Sequence, residues 1–285
     1  MADEIILRNT TMAYVMSCER KFYYAVQRNL TPRKKAEPLD TGLLAHEGLK
    51  VFHHPINASK PVNERLRLAR ASVQALAKET EDEHDTDFDP SMSDNLIIGY
   101  ASEYAQDPLN FIAVEQPVSY EMAPGIIFRG TIDGVARNSM GKLIMVEHKT
   151  IRALNSNTIA YYSRSPQTLG YASLMERVFK EEPDSILFNF LIKQKVPKYR
   201  REPAIFHRVY MEQWRRWAEL VGKRIQNCIS TGVYMENRYS CHPFAGRECP
   251  YIPLCWYGES AMTLALFKQG TLGSGSNEVT AAPAA

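Results

Sequence analysis

Hydrophobic and polar positions recur with two different periods along the chain, and these periods divide it into predicted helices and strands. Apolar residues at helical spacing predict helices over approximately 9–28, 42–50, 62–83, 91–106, 166–178 and 212–229. Short apolar or β-branched runs predict strands over 111–121, 126–136, 143–146, 184–193 and 204–210. This mixture predicts a protein of the α/β class.

Two of these strands, 126–136 and 143–146, are separated by a turn signal at 139–142 and predict a β-hairpin. Asp133 lies in the first strand, and Glu147 and Lys149 end the second, on one face because they are two residues apart. Two carboxylates and an ammonium beside apolar strands are costly without compensation. A divalent cation bound by both carboxylates would compensate them, whereas a surface Asp–Lys pair is the simpler alternative.

Composition sets broad limits. The 285 residues are 45% hydrophobic and 23% charged, which is typical of a soluble globular protein with one large or two modest domains. A formal net charge of +2 neither favours nor excludes nucleic acid as a ligand. No apolar run is long enough for a membrane span, and the first residues lack a signal-peptide pattern, so we expect a cytoplasmic protein of a bacterial or phage-infected cell. The last residues, 271–285, have the composition of a disordered tail.

Two further motifs flank the hairpin in sequence. His46 follows Gly42 by four residues on a predicted helix, where a histidine is usually just packed or exposed. Gln167 and Tyr171 are four residues apart and share one face of a helix that begins with Pro166. An ordinary amphipathic helix can carry such a polar pair as well.

The order of these motifs resembles that of the PD-(D/E)xK nuclease superfamily. G-x-x-D-G at Gly130 and Asp133, followed by a strand that ends in E-x-K, is similar to its core. The earlier G-x-x-x-H and the later Q-x-x-x-Y resemble its RecB-like branch. The resemblance implies a restriction-endonuclease-like core, in which helices flank a mixed central sheet, with an N-terminal helical cap.

The resemblance also implies roles for the site residues. The expected ligands of Mg²⁺ or Mn²⁺ are His46, Asp133, Glu147 and the backbone carbonyl of His148. The expected catalytic residues are Asp133, Glu147, Lys149, Gln167 and Tyr171. Lys149 would position the attacking water, and Gln167 and Tyr171 would orient Lys149 or the DNA backbone.

Five cysteines in an apparently intracellular chain are expected to be thiols or metal ligands. The C-x7-C-x5-C spacing of Cys241, Cys249 and Cys255 is no standard zinc-finger spacing. It resembles the cysteine group of iron–sulfur RecB-like nucleases, such as the AddB-type and CRISPR-adaptation nucleases, whose fourth ligand lies far upstream. Cys18 fits that position, so the resemblance implies a [4Fe–4S] clasp joining the two ends of the chain, with zinc as the alternative.

The sequence also allows other interpretations of Cys18 and Cys241, and it leaves Cys228 outside the group. Cys18 alone also fits a core position on an amphipathic helix, and His242 is a substitute for Cys241 as a ligand. Cys228, within a predicted helix, is expected in the core.

A basic segment follows the strand 184–193. Its cations include Lys195, Lys198, Arg200 and Arg201, with Tyr199 among them and no acidic residue. This pattern fits a DNA-binding loop that contacts phosphates, and it fits a solvated basic loop equally well.

The combined interpretation is a metal-dependent DNA exonuclease of recombination, repair or phage DNA processing. Its substrate would be single-stranded DNA or DNA with a free end. The alternatives are a DNA-end-binding subunit of a larger complex and a sequence-tolerant endonuclease or RNA-directed enzyme. The chain has no G-x-x-x-x-G-K-[ST] motif, so ATP hydrolysis would require a helicase or recombination partner.

The expected organisation is a single nuclease domain over 1–270. It would contain a helical insert over about 53–108, the nuclease core over about 109–210, and a terminal helix with the cysteine segment over 211–258.

Overall fold

The computed structural model describes residues 4–33, 38–84, 90–242 and 248–270, with the backbone alone for 38–40 and 80–84. The chain folds into two compact units. The terminal unit comprises Met1–Lys35, Ser119–Gly130 and Gln213–Ala285, and the central unit comprises Ala36–Val118 and Thr131–Glu212. The single nuclease domain stays a prediction, and the predicted tail at 271–285 lies outside the described residues.

The described helices are α1 (Asn9–Ser17), α2 (Glu19–Phe22), α3 (Pro38–His53), α4 (Val62–His84), α5 (Ser91–Glu103), α6 (Ser156–Ser163), α7 (Pro166–Phe179), α8 (Arg208–Thr231), α9 (Ile252–Tyr257) and α10 (Ala261–Leu264). The strands are β1 (Ile5–Leu7), β2 (Leu30–Pro32), β3 (Asn110–Ala123), β4 (Ile126–Arg137), β5 (Leu143–Ile151), β6 (Ser185–Ile192), β7 (Lys198–Ala204) and β8 (Phe267–Gln269). No helix in the described part of the chain combines the length and hydropathy that a membrane span requires.

The central unit is built on a mixed sheet. β4 pairs with β5 antiparallel, β5 pairs with β6 parallel, β6 pairs with β7 antiparallel, and β3 also pairs with β4. The predicted hairpin is present as β4 and β5, with Gly134 opposite Val146. The fold class is therefore confirmed as mixed α/β with a central mixed sheet and flanking helices, consistent with a restriction-endonuclease-like fold.

Strand alternation places different side chains on the two faces of this sheet. Leu191 of β6 joins the apolar core formed with α3, α4 and α5, which includes Leu49 and Phe52. Phe188 and Phe190, on the opposite face, lie 6.2 and 5.7 Å from the ring of Tyr162 on α6. The sheet of the central unit is thus buried on both faces, which explains why β5 begins with an apolar run and β6 is mostly apolar.

The terminal unit has its own small core. β2 pairs antiparallel with β8, and the rings of Tyr24, Tyr251 and Phe267 stack in a row with centroids 5.9 and 5.4 Å apart. β1 runs parallel to the first residues of β4, and Phe128 there packs edge-on against Trp214 of α8 at 4.9 Å. Aromatic contacts of this kind stabilise a unit whose strands are short.

The prediction of one helix over 9–28 is wrong at Cys18. This residue adopts an extended conformation, with φ −171° and ψ 122°, and separates α1 from α2. The break turns Glu19 inward, where its carboxylate accepts a hydrogen bond from the Met235 N–H at 2.7 Å and pairs with Arg224. Buried charge must be paired, so these long-range partners override the local helical pattern.

The prediction of a strand over 204–210 is also wrong. β7 occupies Lys198–Ala204 instead, and α8 begins at Arg208. The hydroxyl of Tyr199 donates to the Leu96 carbonyl at 2.9 Å, and Arg201 forms a buried ion pair. The segment expected to be a solvated basic loop is therefore a strand, because its inward-facing polar side chains have hydrogen-bond and ion-pair partners inside the protein.

We predict that the ion pair of Arg201 with Asp107 is essential to the stability of the central unit. Its two N–O distances are 2.7 and 2.6 Å, and the two side chains are 12% and 8% exposed. Asp107→Ala leaves a buried guanidinium unpaired, and we expect the free energy of unfolding in urea to fall by about 3–5 kcal/mol.

Glu202→Gln is the matched control, because Glu202 pairs with the 65% exposed Arg200 on the same strand. We expect this change to cost less than about 1 kcal/mol. Equal losses in the two variants would contradict a structural role for the buried pair.

Candidate active site

The β4–β5 hairpin brings the predicted acidic residues together. Asp133 and Glu147 each lie next to the paired residues Gly134 and Val146. An oxygen of Asp133 accepts a hydrogen bond from the backbone N–H of His148 at 2.8 Å, which fixes its orientation. The side chain of Asp133 is 12% exposed and that of Glu147 only 2%.

Lys149 lies within this cluster, as its spacing from Glu147 predicts. Its Nζ is 2.5 Å from Oε1 of Glu147 and 3.5 Å from the side-chain oxygen of Gln167 on α7. The same nitrogen lies 5.6 Å from the ring centre of Tyr162. An ammonium held between a carboxylate, an amide and an aromatic face has a restricted position.

His46 of α3 completes the site from the face of the sheet that α3 covers. Its Nδ1 is 3.6 Å from Oδ1 of Asp133, and its ring meets that of His148 edge-on at 5.9 Å. His46, Asp133 and Glu115 each present a ligand atom, and these atoms all lie within 4.8 Å of one another. The three groups form an arrangement that fits a divalent cation.

Glu115 is the one member of this group that the motif analysis missed. It lies on β3 with φ 46°, in the left-handed region, so the regular strand is interrupted there. Strand alternation could have pointed to Glu115. It follows Phe111 and Ala113 at alternate positions of β3, and an acidic residue on such an apolar strand face is unusual.

The electrostatics of the site follow from burial and from the closeness of its charges. Burial and the charge of Asp133 raise the pKa of Glu147 to about 7. Burial also acts to raise the pKa of Asp133, but the neighbouring His46 outweighs it and holds that pKa well below its usual range. Burial opposes the charge of Lys149, yet Glu147 and Asp133 raise its pKa, so it remains an ammonium ion.

The residues present fit a bound metal ion. Oε2 of Glu147 is buried and has no hydrogen-bond partner, although its other oxygen is paired with Lys149. A buried, unpartnered carboxylate oxygen next to a second carboxylate is expensive, and a cation satisfies both. Oxygen ligands together with one imidazole suit Mg²⁺ or Mn²⁺.

The remaining predicted site residues are located as follows. His148 is buried, and its Nδ1 accepts a hydrogen bond from Asn189 at 2.8 Å. Tyr171 is buried on α7, one helical turn after Gln167. The roles assigned to the His148 carbonyl and to Tyr171 stay predictions.

Four cysteines meet in the terminal unit. Cys18, Cys241, Cys249 and Cys255 line one cavity, and the N–H of Cys249 donates to the carbonyl of Cys241 at 2.8 Å. His242 does not line this cavity in the described structure and faces Glu248 instead, at 3.4 Å. Cys228 is buried in α8, as predicted, apart from this group.

Of the four predicted DNA-contacting cations, Arg201 is excluded by its surroundings. It is held by Asp107 and by the Tyr100 hydroxyl, which it contacts at 2.8 Å, and it is not free to bind phosphate. Arg200 is exposed but paired with Glu202. Lys195 and Lys198 are exposed and remain candidates for phosphate contacts.

Comparison with known proteins gives a fold and no family. No family model matches the sequence, and no curated protein matches it. A solved structure of a candidate exonuclease from Eubacterium rectale aligns with a TM-score of 0.53 at 11% identity, covering 89% of this chain and 94% of its own. A second structure, of SSO0001, aligns with a TM-score of 0.37 at 14% identity over 78% and 77% of the two chains, too slight a likeness to support an inference. At 11% sequence identity, the likeness to the first structure shows a shared fold and nothing more specific.

We predict that the metal-free protein has a pH-dependent stability that originates at Glu147. A carboxyl whose pKa is raised from 4.5 to about 7 on folding favours the protonated folded state. Wild-type stability should therefore fall relative to Glu147→Gln as the pH rises through this window. The difference should reach about 3–4 kcal/mol, at about 1.4 kcal/mol per pKa unit. Urea unfolding in EDTA at several pH values measures it, and a difference that does not change with pH would contradict the burial of this carboxyl.

A second prediction concerns Glu115 as a metal ligand. Glu115→Gln should weaken Mn²⁺ binding by about 10- to 100-fold, since one carboxylate is lost while the other ligands remain. Isothermal titration without any nucleic acid measures this, so the result does not depend on catalysis. The control is Glu103→Gln, an exposed carboxylate on α5. Equal Mn²⁺ affinities in the two variants would remove Glu115 from the ligand set.

Proposed function

We propose that this chain is a metal-dependent nuclease that hydrolyses phosphodiester bonds in DNA, with the Asp133 cluster as its active site. The observation that carries this proposal is the convergence of His46, Glu115 and Asp133 beside the unpartnered oxygen of Glu147 and the ammonium of Lys149. Cation ligands and a fixed positive charge are what phosphodiester hydrolysis requires. The fold shared with a candidate exonuclease agrees with this proposal.

Each residue of the site has a distinct task in the proposed mechanism. His46, Asp133, Glu147 and the His148 carbonyl, together with Glu115, would hold Mg²⁺ or Mn²⁺, which would supply Lewis acidity and lower the pKa of a bound water. The N–H of His148 keeps Asp133 oriented, and Glu147 holds Lys149 in place. Lys149 then orients the attacking water and stabilises negative charge that develops on the phosphate.

Lys149 acts as a cation and not as a general base. Its pKa is raised, so no lone pair is free to accept a proton at neutral pH. Gln167 approaches it from α7 with an oxygen acceptor, which matches the donors of an ammonium ion. Tyr171, one turn later on that helix, is assigned to the same supporting layer.

Within this function, we assign the chain to exonucleases that act on DNA with a free end, in recombination, repair or phage DNA processing. The motif order of the RecB-like branch is the support for this assignment. A DNA-end-binding subunit with little cleavage of its own and a sequence-tolerant endonuclease are the competing assignments. Linear and circular DNA, each single- and double-stranded, separate the three: an exonuclease degrades only the linear forms.

For the terminal unit we propose a [4Fe–4S] cluster on Cys18, Cys241, Cys249 and Cys255. Thiolates around a single zinc ion at about 2.3 Å lie about 3.8 Å apart. Among the described residues, no three cysteine sulfurs lie within 4.8 Å of one another, although all four line one cavity. The shared cavity supports one centre for all four cysteines, and the resemblance of their spacing to that of iron–sulfur RecB-like nucleases favours a cluster over one zinc ion.

We predict that Asp133→Asn, Glu147→Gln and Lys149→Ala each reduce DNA cleavage by at least about 100-fold, because each removes a cation ligand or the fixed positive charge. DNA affinity in EDTA should remain within a few-fold of wild type, since phosphate contacts elsewhere dominate binding. A gel assay of cleavage and fluorescence anisotropy of binding measure the two quantities. Near wild-type cleavage by any of the three variants would refute the assigned site.

We predict that anaerobically purified protein is brown, with absorbance near roughly 400 nm, and that Cys18→Ser abolishes the colour. The same variant should lower the unfolding temperature, because the cluster joins residues far apart in the chain. Cys228→Ser is the control that should keep the colour, since Cys228 lies apart from the cavity. Colourless protein with stoichiometric zinc would exclude the cluster, and metal-free protein would exclude both centres.

A further inference from the structure

A second cleft lies in the central unit, with a volume of about 440 Å³. It is bordered by the start of α4, by the segment that leads into β3, and by His53 at the end of α3. Its volume is within the range of about 300–1,000 Å³ in which small-molecule groups are bound. Its lining includes Lys60, Arg65, Asp107 and Phe111.

The cleft carries a net positive charge. Asp107 is neutralised by its ion pair with Arg201, and burial lowers the pKa of His53 well below its usual value, so that ring is neutral. Lys60 and Arg65 therefore remain as its uncompensated charges, and neither has a carboxylate within ion-pair distance among the described residues.

The side chain of Arg65 is positioned by an aromatic ring and not by a carboxylate. Its guanidinium lies over the ring of Phe52 at 4.3 Å, and its Nε is buried without a hydrogen-bond partner. A buried N–H that lacks an acceptor is expensive, and an anion in the cleft would supply one. Val62, the first residue of α4, also lines the cleft, and the amino end of a helix favours an anion.

The cleft and the active site lie along the same helix and strand. His46 and His53 are seven residues apart on α3, a distance of roughly 10 Å at 1.5 Å per residue. Glu115 and Phe111 are four residues apart on β3, roughly 13 Å at about 3.3 Å per residue. Phe111 stacks on His53 with ring centres 3.8 Å apart, which joins the two elements at the cleft. One strand of a nucleic acid carries a phosphate about every 3.4 Å of helical rise, and the phosphates are farther apart along the strand itself, so this separation spans at most about four phosphates.

We propose that Lys60 and Arg65 bind a phosphate group of the substrate strand, within about four phosphates of the bond that is cut. This inference rests on the proposed nuclease function, because it takes the cleft and the active site to lie on one path of nucleic acid. A free mononucleotide offers the same phosphate chemistry, and the experiment separates the two sources.

The test compares Lys60→Gln/Arg65→Gln with Arg67→Gln/Lys78→Gln, which removes the same charge from exposed positions of α4. Binding of a fluorescent oligonucleotide is measured in EDTA over a range of salt concentrations. Loss of two phosphate contacts should flatten the slope of log K against log salt by about 1.5 in the cleft variant, with no change in the control beyond about 0.3. If the double variant is unfolded by circular dichroism, Lys60→Gln alone should flatten the slope by about 0.8.

Phosphate ethylation interference locates the contact. In wild type, modification of one phosphate within about four positions of the cleavage point should weaken binding, and in the cleft variant this effect should disappear. An unchanged salt slope in the folded cleft variants would overturn the proposal, as would interference that persists in them.

Calorimetric titration with inorganic phosphate and with deoxythymidine monophosphate distinguishes the free ligands. Tight mononucleotide binding that the cleft variant loses, together with an unchanged oligonucleotide slope, would overturn the strand contact and identify a mononucleotide site. The same measurements distinguish failure of the cleft proposal from failure of the proposed nuclease function. Wild-type protein that cuts DNA while the cleft variant keeps its salt slope refutes the cleft alone, whereas wild-type protein that neither binds nor cuts DNA refutes the proposed function itself.

Discussion

Two carboxylates buried side by side are the constraint on which the central unit depends. Asp133 and Glu147 are held by the two strands of a hairpin whose register leaves them no freedom to separate. Because their negative charges repel each other where little water reaches them, each carboxylate needs a partner. Lys149 pairs with Glu147, and His46 lies beside Asp133. Lys149 comes from β5 itself and is contacted by Gln167 of α7, whereas His46 is supplied by α3.

Behind this cluster a chain of buried hydrogen bonds connects the site to the core. Asn189 donates to Nδ1 of His148 and to the Tyr100 hydroxyl, at 2.8 and 3.1 Å, and Arg201 donates to the same hydroxyl. Tyr100 then donates to His53, whose ring is neutral and accepts. Two buried atoms of this network, Oδ1 of Asn189 and Nε of Arg201, have no hydrogen-bond partner among the described residues. Its rigidity therefore depends on the bonds that do form, which link residues outside the Asp133 cluster to His148 on β5.

Local pattern and motif order predict only part of this structure. The hairpin with Asp133 and Glu147 was predictable, because apolar alternation sets the strand faces and charged strand ends stand out. Glu115 was not, since a single acid in an alternating strand acquires meaning only when β3 lies beside His46. The break at Cys18 and the strand at Lys198–Ala204 depend on partners that are distant in sequence, and local propensity cannot register them. Arg201 illustrates the same limit, because a basic run looks alike whether its members face water or a buried carboxylate.

The backbone of Glu115 shows how such a site is maintained against its own stability. A non-glycine residue with φ 46° within a strand costs of order 1 kcal/mol, and glycine would relieve that strain. Selection for thermostability alone would therefore favour glycine here, while the proposed metal site requires the acid. Stability-driven redesign of this chain would therefore tend to replace Glu115, and it would produce a more stable protein that lacks a group of the proposed site.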